Sequence, residues 1–173
     1  MLFRSKGTKF GHPFYAEGWI VTNCTDAKPL RSVISVLVNT VLYSNEDEKR
    51  IETVLRGITQ VYPTIRVYLA TRSNAVAKAA KKYKSVIVVK VVETNVAKVW
   101  NTLKNKASTP YVLVARDVIH FTWLTQLERQ IRVVHQIPNV AVVGGAYRNL
   151  TGHWKAGCVQ AKLRNFVLEY KEG

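Results

Sequence analysis

The chain has 173 residues, of which 47% are hydrophobic and 21% are charged. This composition is typical of one folded domain with a sizeable core, and it excludes a disordered tail, a collagen-like chain and a small disulfide-stabilised protein. Lys and Arg outnumber Asp and Glu by 26 to 11, which gives a net charge of +15. Such a surface attracts nucleic acid, anionic lipid head groups or phosphates without selecting among them. No apolar run reaches the about 18 residues that a membrane-spanning helix needs.

Residues 1–32 have no clear hydrophobic period and contain several glycines and prolines, which predicts an irregular N-terminal arm. Lysines and a histidine interrupt its apolar stretches, so the arm lacks the apolar core of a signal peptide. N-glycosylation sequons at Asn23 and Asn149 permit a secretory location. If the protein is secretory, its targeting segment lies outside this chain. The cysteines, Cys24 and Cys158, could be oxidised, but their pairing cannot be inferred from sequence.

From residue 33 onward, short β-branched runs alternate with segments of helical period, which predicts an α/β domain over residues 33–173. The predicted strands are 33–38, 65–69, 85–92, 111–114 and 140–143. The predicted helices are 44–62, 74–83, 95–107 and 122–135. The stretch 159–170 fits either a strand or a helix.

Strands that alternate with helices form parallel sheets, because a helix supplies the crossover that parallel neighbours need. The run Val86–Val92 is apolar on both faces, which predicts a strand covered on both sides. We therefore expect a doubly wound, mostly parallel sheet with helices on both faces. Ligands of such sheets bind beyond the carboxyl ends of the strands.

Several common site motifs are absent from the sequence. It contains no glycine-rich dinucleotide fingerprint, no P-loop, no paired-cysteine zinc motif and no Gly-x-Ser-x-Gly elbow. The four histidines are scattered along the chain. These absences argue against a dinucleotide-binding domain, a P-loop nucleotidase, a structural zinc site and a serine hydrolase.

Two segments carry a resemblance to a known family. The first runs from Ser35-Val36-Leu37-Val38-Asn39-Thr40 through Tyr43-Ser44-Asn45-Glu46 to Gln60-Val61-Tyr62-Pro63. The second runs from Val99-Trp100-Asn101 to Thr109-Pro110-Tyr111-Val112-Leu113-Val114. This pattern resembles family 2 glycosyltransferases of the GT-A fold.

The last part of the chain resembles two further groups. Leu127-Glu128-Arg129 and Val142-Val143-Gly144-Gly145 are similar to β-1,4-type N-acetylgalactosaminyltransferases of the Golgi. Leu150-Thr151-Gly152-His153-Trp154 resembles the N-terminal domain of fukutin-related protein. The resemblance spans about residues 33–173 and is distributed over the pattern. It implies a GT-A-like nucleotide-sugar-binding half-domain that is incomplete at its C-terminus, because the family's acceptor half would follow.

The resemblance also assigns a binding site. In the family, an Asp-x-Asp motif after the fourth strand holds Mn²⁺ or Mg²⁺, which neutralises the departing nucleoside diphosphate. Here the matching residues are Ala115-Arg116-Asp117, so only the last acid is present. Asp117 would be the metal contact, and Arg116 could hold the diphosphate in place of the missing acid. No catalytic base is assigned.

The remaining implied nucleotide-sugar contacts are polar or glycine residues near strand ends and on one helix. They are Tyr43, Asn45, Glu46, Asn101, Gly144 and Gly145. Apart from Tyr43, each has a simpler interpretation as a helix cap, an ordinary helix position or a turn. The basic run Lys78, Lys81, Lys82 and Lys84 favours a solvated helix face over a nucleic-acid site. Trp100 lies on an apolar helix face, which favours a core position.

The resemblance implies a domain that transfers a hexosamine or hexose from a nucleoside-diphosphate sugar to a glycan or glycoprotein acceptor. It would lie in the Golgi or ER lumen or be secreted, with any membrane anchor outside this chain. The loss of the first acid leaves open a degenerate enzyme or a non-catalytic scaffold of a larger secretory-pathway protein. A basic nucleic-acid-binding domain is a third alternative.

Overall fold

A computed structural model describes residues 28–42, 48–115, 121, 125–136 and 141–143, together with short strands at 147–148, 154–155, 159–164 and 167–172. The chain divides into two compact units, Met1–His120 and Phe121–Gly173. The first unit contains α1 (Leu30–Val33), β1 (Ile34–Asn39), a 3₁₀ turn (Thr40–Leu42), α2 (Glu48–Val61), β2 (Val67–Thr71), α3 (Asn74–Ala80), β3 (Val86–Lys90), α4 (Val96–Lys106) and β4 (Tyr111–Val114). The second contains α5 (Leu127–Gln136), β5 (Tyr147–Arg148), β6 (Trp154–Lys155), β7 (Val159–Arg164) and β8 (Val167–Glu172).

The strands of the first unit form one parallel sheet in the order β3-β2-β1-β4. The chain moves outward from β1 through β2 to β3, and then returns across the sheet to place β4 on the other side of β1. This confirms the expected doubly wound, mostly parallel α/β architecture. The direction of winding reverses between β1 and β4, which makes the carboxyl ends of these two strands the topological switch point.

Helices cover both faces of the sheet. The outward connections contain α2 and α3, and the returning connection contains α4. Because β-α-β crossovers are right-handed, these two sets of helices lie on opposite faces. The α4 side chains Val99 and Leu103 pack with Leu37, Tyr68 and Ala70 of the central strands. Trp100 is half-buried against the same cluster, which confirms its predicted core position.

The central strands hold the core. Every residue of β1 and of β2 is buried, because each strand has a neighbour on both sides and helices above and below. The apolar α2 residues at helical spacing are also buried; they are Ile51, Val54, Leu55 and Ile58. Each fully buried aliphatic side chain stabilises the fold by about 1.5–3 kcal/mol relative to an exposed one.

The third strand corrects one prediction. The apolar run at 85–92 predicted a strand covered on both sides, whereas β3 is an outer strand of the described sheet and its Ile87 is 41% exposed. Val92 lies beyond the strand and is almost fully exposed. β-branched residues favour an outer strand as much as a central one, so the run alone could not place it.

The predicted strand at 140–143 is a second correction. Ala141–Val143 have no regular secondary structure, and Val142 is largely exposed. The stretch 159–170, which the sequence left open, forms strands: β7 pairs antiparallel with β8. A second antiparallel ladder joins β5 and β6. A strand requires a partner with free backbone groups, and an apolar run does not reveal whether one is available.

Several element ends differ from the predicted ends for local reasons. β2 begins two residues late, since the N–H of Ile65 is used in a turn to the carbonyl of Tyr62. α3 ends at Ala80 instead of residue 83, because the next residues form tighter three-residue turns. α5 begins at Leu127, after a predicted start at residue 122, while residues 122–124 lie outside the described chain. The predicted N-terminal arm lies outside it as far as residue 27. Residues 30–32, predicted to be irregular, and Val33, predicted to begin the first strand, instead form α1.

Candidate functional site

Polar residues follow the apolar core at the carboxyl end of β1. Asn39 is the last residue of this strand, and Thr40 begins the 3₁₀ turn that follows it. Both side chains are buried. Because β1 adjoins the switch point, these residues form the inner wall of the edge where doubly wound domains bind ligands.

The Asn39 amide joins two elements at this edge. Its Oδ1 accepts a hydrogen bond from the backbone N–H of Val41 at 3.0 Å, which shapes the turn. Its Nδ2 donates to the carbonyl of Val96, the first residue of α4, at 3.5 Å. The start of α4 is therefore held against the end of β1.

Two threonines continue this polar layer across the sheet. Thr40 Oγ1 donates to the carbonyl of Ala70 in β2 at 2.8 Å. Thr71, the last residue of β2, is buried, and its Oγ1 accepts from the N–H of Ser73 at 3.1 Å. Ser73 in turn caps α3, since its Oγ accepts from the N–H of Val76 at 3.2 Å. Hydroxyl and amide groups thus fix the loops at the carboxyl ends of β1 and β2.

The loop before α4 contains Glu93, whose carboxylate bonds to the backbone of the same loop. Glu93 Oε1 accepts from the N–H groups of Thr94 and Asn95, at 3.1 and 3.0 Å. Its Oε2 lies 3.4 Å from Lys98 Nζ. The hydrogen bond from the backbone N–H of Asn95 is the main cause that lowers the pKa of Glu93 below 4.5. Lys98 lowers this pKa further. Glu93 therefore stays ionised at neutral pH and organises the loop.

Most of the site residues implied by the resemblance lie outside the described chain, where their predicted roles stay predictions. They are Tyr43, Asn45, Glu46, Arg116, Asp117, Gly144 and Gly145. Cys24, Cys158, Asn23 and Asn149 lie outside it as well.

Asn101 is the implied contact that the structure describes. It is exposed on α4, two residues after the buried Val99. Two residues correspond to roughly 200° around a helix axis, so Asn101 points away from the sheet face on which α4 packs. Among the described residues, nothing brings Asn101 to the carboxyl edge, and its role in the pocket stays a prediction.

The cation that the resemblance implies is Mn²⁺ or Mg²⁺. Hard divalent cations prefer several oxygen ligands, carboxylates above all. The carboxyl ends of β1 and β2 contribute the Asn39 amide and two threonine hydroxyls, each already bonded to backbone, and the Glu93 carboxylate bonds to its own loop and to Lys98. No group of three His, Cys, Asp or Glu residues converges within the described parts of the chain. These residues alone do not fit a divalent metal, so the predicted metal site depends on Asp117.

Asn39 and Thr40 lie in the first segment that carries the resemblance, and Thr71 ends the second strand, but the resemblance assigns none of the three as a nucleotide-sugar contact. A signal for them exists in the sequence, because Asn39-Thr40 and Thr71 directly follow apolar strand runs. Their burial depends on the register of β1 with β2, which pairs Asn39 with Ala70. The sequence pattern alone therefore identifies the segment but not the hydrogen bonds.

No protein-family model, curated protein or solved structure matches the chain. The class is consequently defined by the fold and the site: a doubly wound α/β domain with a polar carboxyl edge at its switch point. Among the described residues, no helix has the length and apolar character required to cross a bilayer.

Proposed function

We propose that the domain binds a nucleoside-diphosphate sugar at the carboxyl edge of its sheet, as a family 2-like glycosyltransferase domain. The observation that carries this proposal is the reversal of strand order between β1 and β4, with buried polar residues at the end of β1. A crevice at such a reversal is where doubly wound domains bind nucleotides. The sequence resemblance supplies the choice of a nucleotide sugar.

In this proposal, the segment after β4 contacts the diphosphate. β4 lies beside β1, and the chain after it passes from the buried Ala115 to Arg116 and Asp117. Arg116 offers a planar fork of donors that matches phosphate oxygens. Asp117 would hold the metal ion, whose chemistry would be to neutralise the departing diphosphate. The acceptor would be a glycan or glycoprotein.

The test is the melting temperature of the purified chain with a panel of nucleoside diphosphates, first with Mn²⁺ and then with EDTA. A ligand that binds only the folded state raises the melting temperature by mass action. We expect one nucleoside diphosphate to raise the melting temperature. In the Arg116→Ala variant, the same increase should require a ligand concentration at least tenfold higher. If the increase in melting temperature persists in EDTA, the diphosphate is bound by Arg116 and not through a metal ion.

The matched control is Arg56→Ala, which removes an exposed arginine from α2. It should leave nucleotide binding unchanged. Equal binding by the Arg116→Ala variant would remove Arg116 from the site. A chain that melts cooperatively and responds to no nucleotide would overturn the proposal.

A non-catalytic scaffold is the second candidate, and one observation favours it. The polar side chains at the carboxyl ends of β1 and β2, which are Asn39, Thr40 and Thr71, bond to the protein's own backbone. Such an arrangement stabilises loops without requiring a ligand. The absence of any nucleotide response would select this candidate. The nucleic-acid alternative is less favoured, because the ion pair between Lys82 and Glu52 partly neutralises the basic run.

A further inference from the structure

An open cleft lies at the amino edge of the sheet, opposite the switch point. It has a volume of about 280 Å³. Its lining comprises two arginines and four hydroxyl-bearing residues, with no acidic residue among them. They are Arg31, Ser32, Thr64, Arg66, Ser108 and Thr109.

Three connections bring these residues together. They precede β1, β2 and β4, which are neighbours in the sheet, so their amino ends meet at one edge. The carbonyl of Arg66 accepts a hydrogen bond from the N–H of Val36 at 2.9 Å, which holds Arg66 beside β1. Thr109 Oγ1 lies 2.8 Å from Ser35 Oγ and 2.9 Å from the carbonyl of Tyr111. The walls of the cleft are therefore fixed by the sheet itself.

Two polar side chains of the cleft already form hydrogen bonds within the described part of the protein, and the other four do not. Ser32 Oγ donates to the carbonyl of Pro29 at 2.8 Å, and the Thr109 hydroxyl is engaged with Ser35 and Tyr111. Within the described chain, the other four polar side chains of the cleft have no side-chain hydrogen bond or ion pair. They are Arg31, Thr64, Arg66 and Ser108. The cleft thus presents two guanidinium groups and two hydroxyls, all of which can donate.

We propose that this cleft binds the phosphate group of a small phosphomonoester. A phosphate dianion accepts several hydrogen bonds, and arginine forks match its oxygens in pairs. Two cations without a neighbouring carboxylate among the lining residues balance its charge of about −1.5 to −2 at neutral pH. The overall charge of +15 adds a favourable long-range potential.

The size of the cleft favours a compact ligand. Pockets for drug-sized molecules occupy about 300–1,000 Å³, and this cleft lies just below that range. It therefore has room for a phosphate with a small organic group, such as a sugar phosphate. The proposal does not depend on the nucleotide-sugar proposal, because the two sites lie at opposite edges of the sheet.

The test is calorimetric titration of the full chain with inorganic phosphate and with glucose 1-phosphate at constant ionic strength. We expect one saturable site for both ligands. Arg31→Gln and Arg66→Gln should each weaken binding at least tenfold. Arg66→Lys keeps the charge but loses the fork, and we expect an intermediate loss.

Arg56→Gln is the matched control, since it removes an arginine outside the cleft, and it should bind phosphate like the parent chain. All four variants change exposed side chains, so cooperative melting should be retained and would establish that each is folded. If phosphate affinity falls equally in the control and in the cleft variants, phosphate is attracted only by the net charge of the chain. That result would overturn the proposal. The absence of saturable phosphate binding to the parent chain would overturn it as well.

Discussion

Buried polar side chains in the first unit are tied to specific partners. Asn39, Thr40 and Thr71 bond to backbone groups near strand ends, and the buried Ser35 lies within hydrogen-bond distance of Thr109. In the described chain, no buried side-chain nitrogen or oxygen lacks a hydrogen-bond partner. Since an unpaired buried polar group costs about 1–3 kcal/mol, each of these bonds helps to define a single arrangement of the loops.

The Thr40 hydrogen bond gives the first stability prediction. Thr40→Val removes the hydroxyl that donates to the Ala70 carbonyl and keeps a similar side-chain shape. We expect urea denaturation to show a loss of about 1–2 kcal/mol in the free energy of unfolding. Thr53→Val is the control, because the hydrogen bond from Thr53 to the Lys49 carbonyl on α2 is exposed to solvent. A loss at Thr53 as large as that at Thr40 would contradict the role of burial.

Glu93 gives a prediction about pH. Its pKa lies below the ordinary 4.5, chiefly because its carboxylate accepts the Asn95 N–H. The ionised Glu93 carboxylate therefore stabilises the fold fully above its unfolded pKa. This stabilisation is lost as pH falls from about 4.5 through the lower pKa that Glu93 has in the folded state. Glu93→Gln should reduce the difference in unfolding free energy between neutral and acid pH, measured by urea denaturation.

A second variant separates the causes of this shift. Lys98→Met removes the ion pair but leaves the backbone hydrogen bonds of Glu93. An NMR titration of the Glu93 carboxyl group should therefore still give a pKa below 4.5 in Lys98→Met. A return to 4.5 would show that Lys98, and not the backbone, controls the carboxylate.

At the scale of elements, the position of α4 depends on its start. Asn95 caps the helix, its Oδ1 accepting from the N–H of Lys98 at 3.2 Å, and Asn39 bonds to the first carbonyl of α4. These contacts set where Val99 and Leu103 meet the sheet. The helix cap and the packing of the apolar face thus support each other.

The Asn95 cap is tested by a pair of variants on one helix. Asn95→Ala should lower the free energy of unfolding by about 0.5–2 kcal/mol, because it leaves an N–H at the helix start without its acceptor. Asn105→Ala changes an exposed residue of the last turn and should be neutral or slightly stabilising, since alanine has the higher helix propensity. Equal denaturation midpoints for both variants would exclude a capping contribution.

At the scale of the whole molecule, the charge of +15 opposes compaction. The exposed pair Lys82–Glu52, in which the hydrogen bond from Lys82 lowers the pKa of Glu52, offsets little of it. Repulsion among the other surface cations is long-ranged at low salt and screened at higher salt.

The melting temperature should therefore rise with NaCl concentration. Between about 0.01 M and 0.15 M, the Debye length falls from roughly 30 Å to roughly 8 Å, which screens most repulsion between exposed charges. Removing two exposed charges with Lys78→Gln and Lys81→Gln should reduce this salt dependence. A melting temperature that falls with NaCl would show that attractive surface pairs dominate.

The periodic parts of the fold could be predicted from sequence. The inward residues of α2 and α4 follow from helical spacing, and the four parallel strands follow from their β-branched runs. The same reasoning failed for the coverage of β3 and for residues 141–143. Periodicity describes the environment of an element along one chain segment, whereas an edge position or a missing partner depends on distant segments.

The sequence by itself determined the α/β class, the order of the elements from β1 to β4 and the basic character of the surface, because these follow from local patterns and from counting charges. Only the tertiary structure decided which residues meet. Arg31, Arg66 and Ser108 are far apart in the chain and converge because β1 lies between β2 and β4. Asn39 reaches α4 because this helix crosses the sheet between β3 and β4 and packs on β1 and β2.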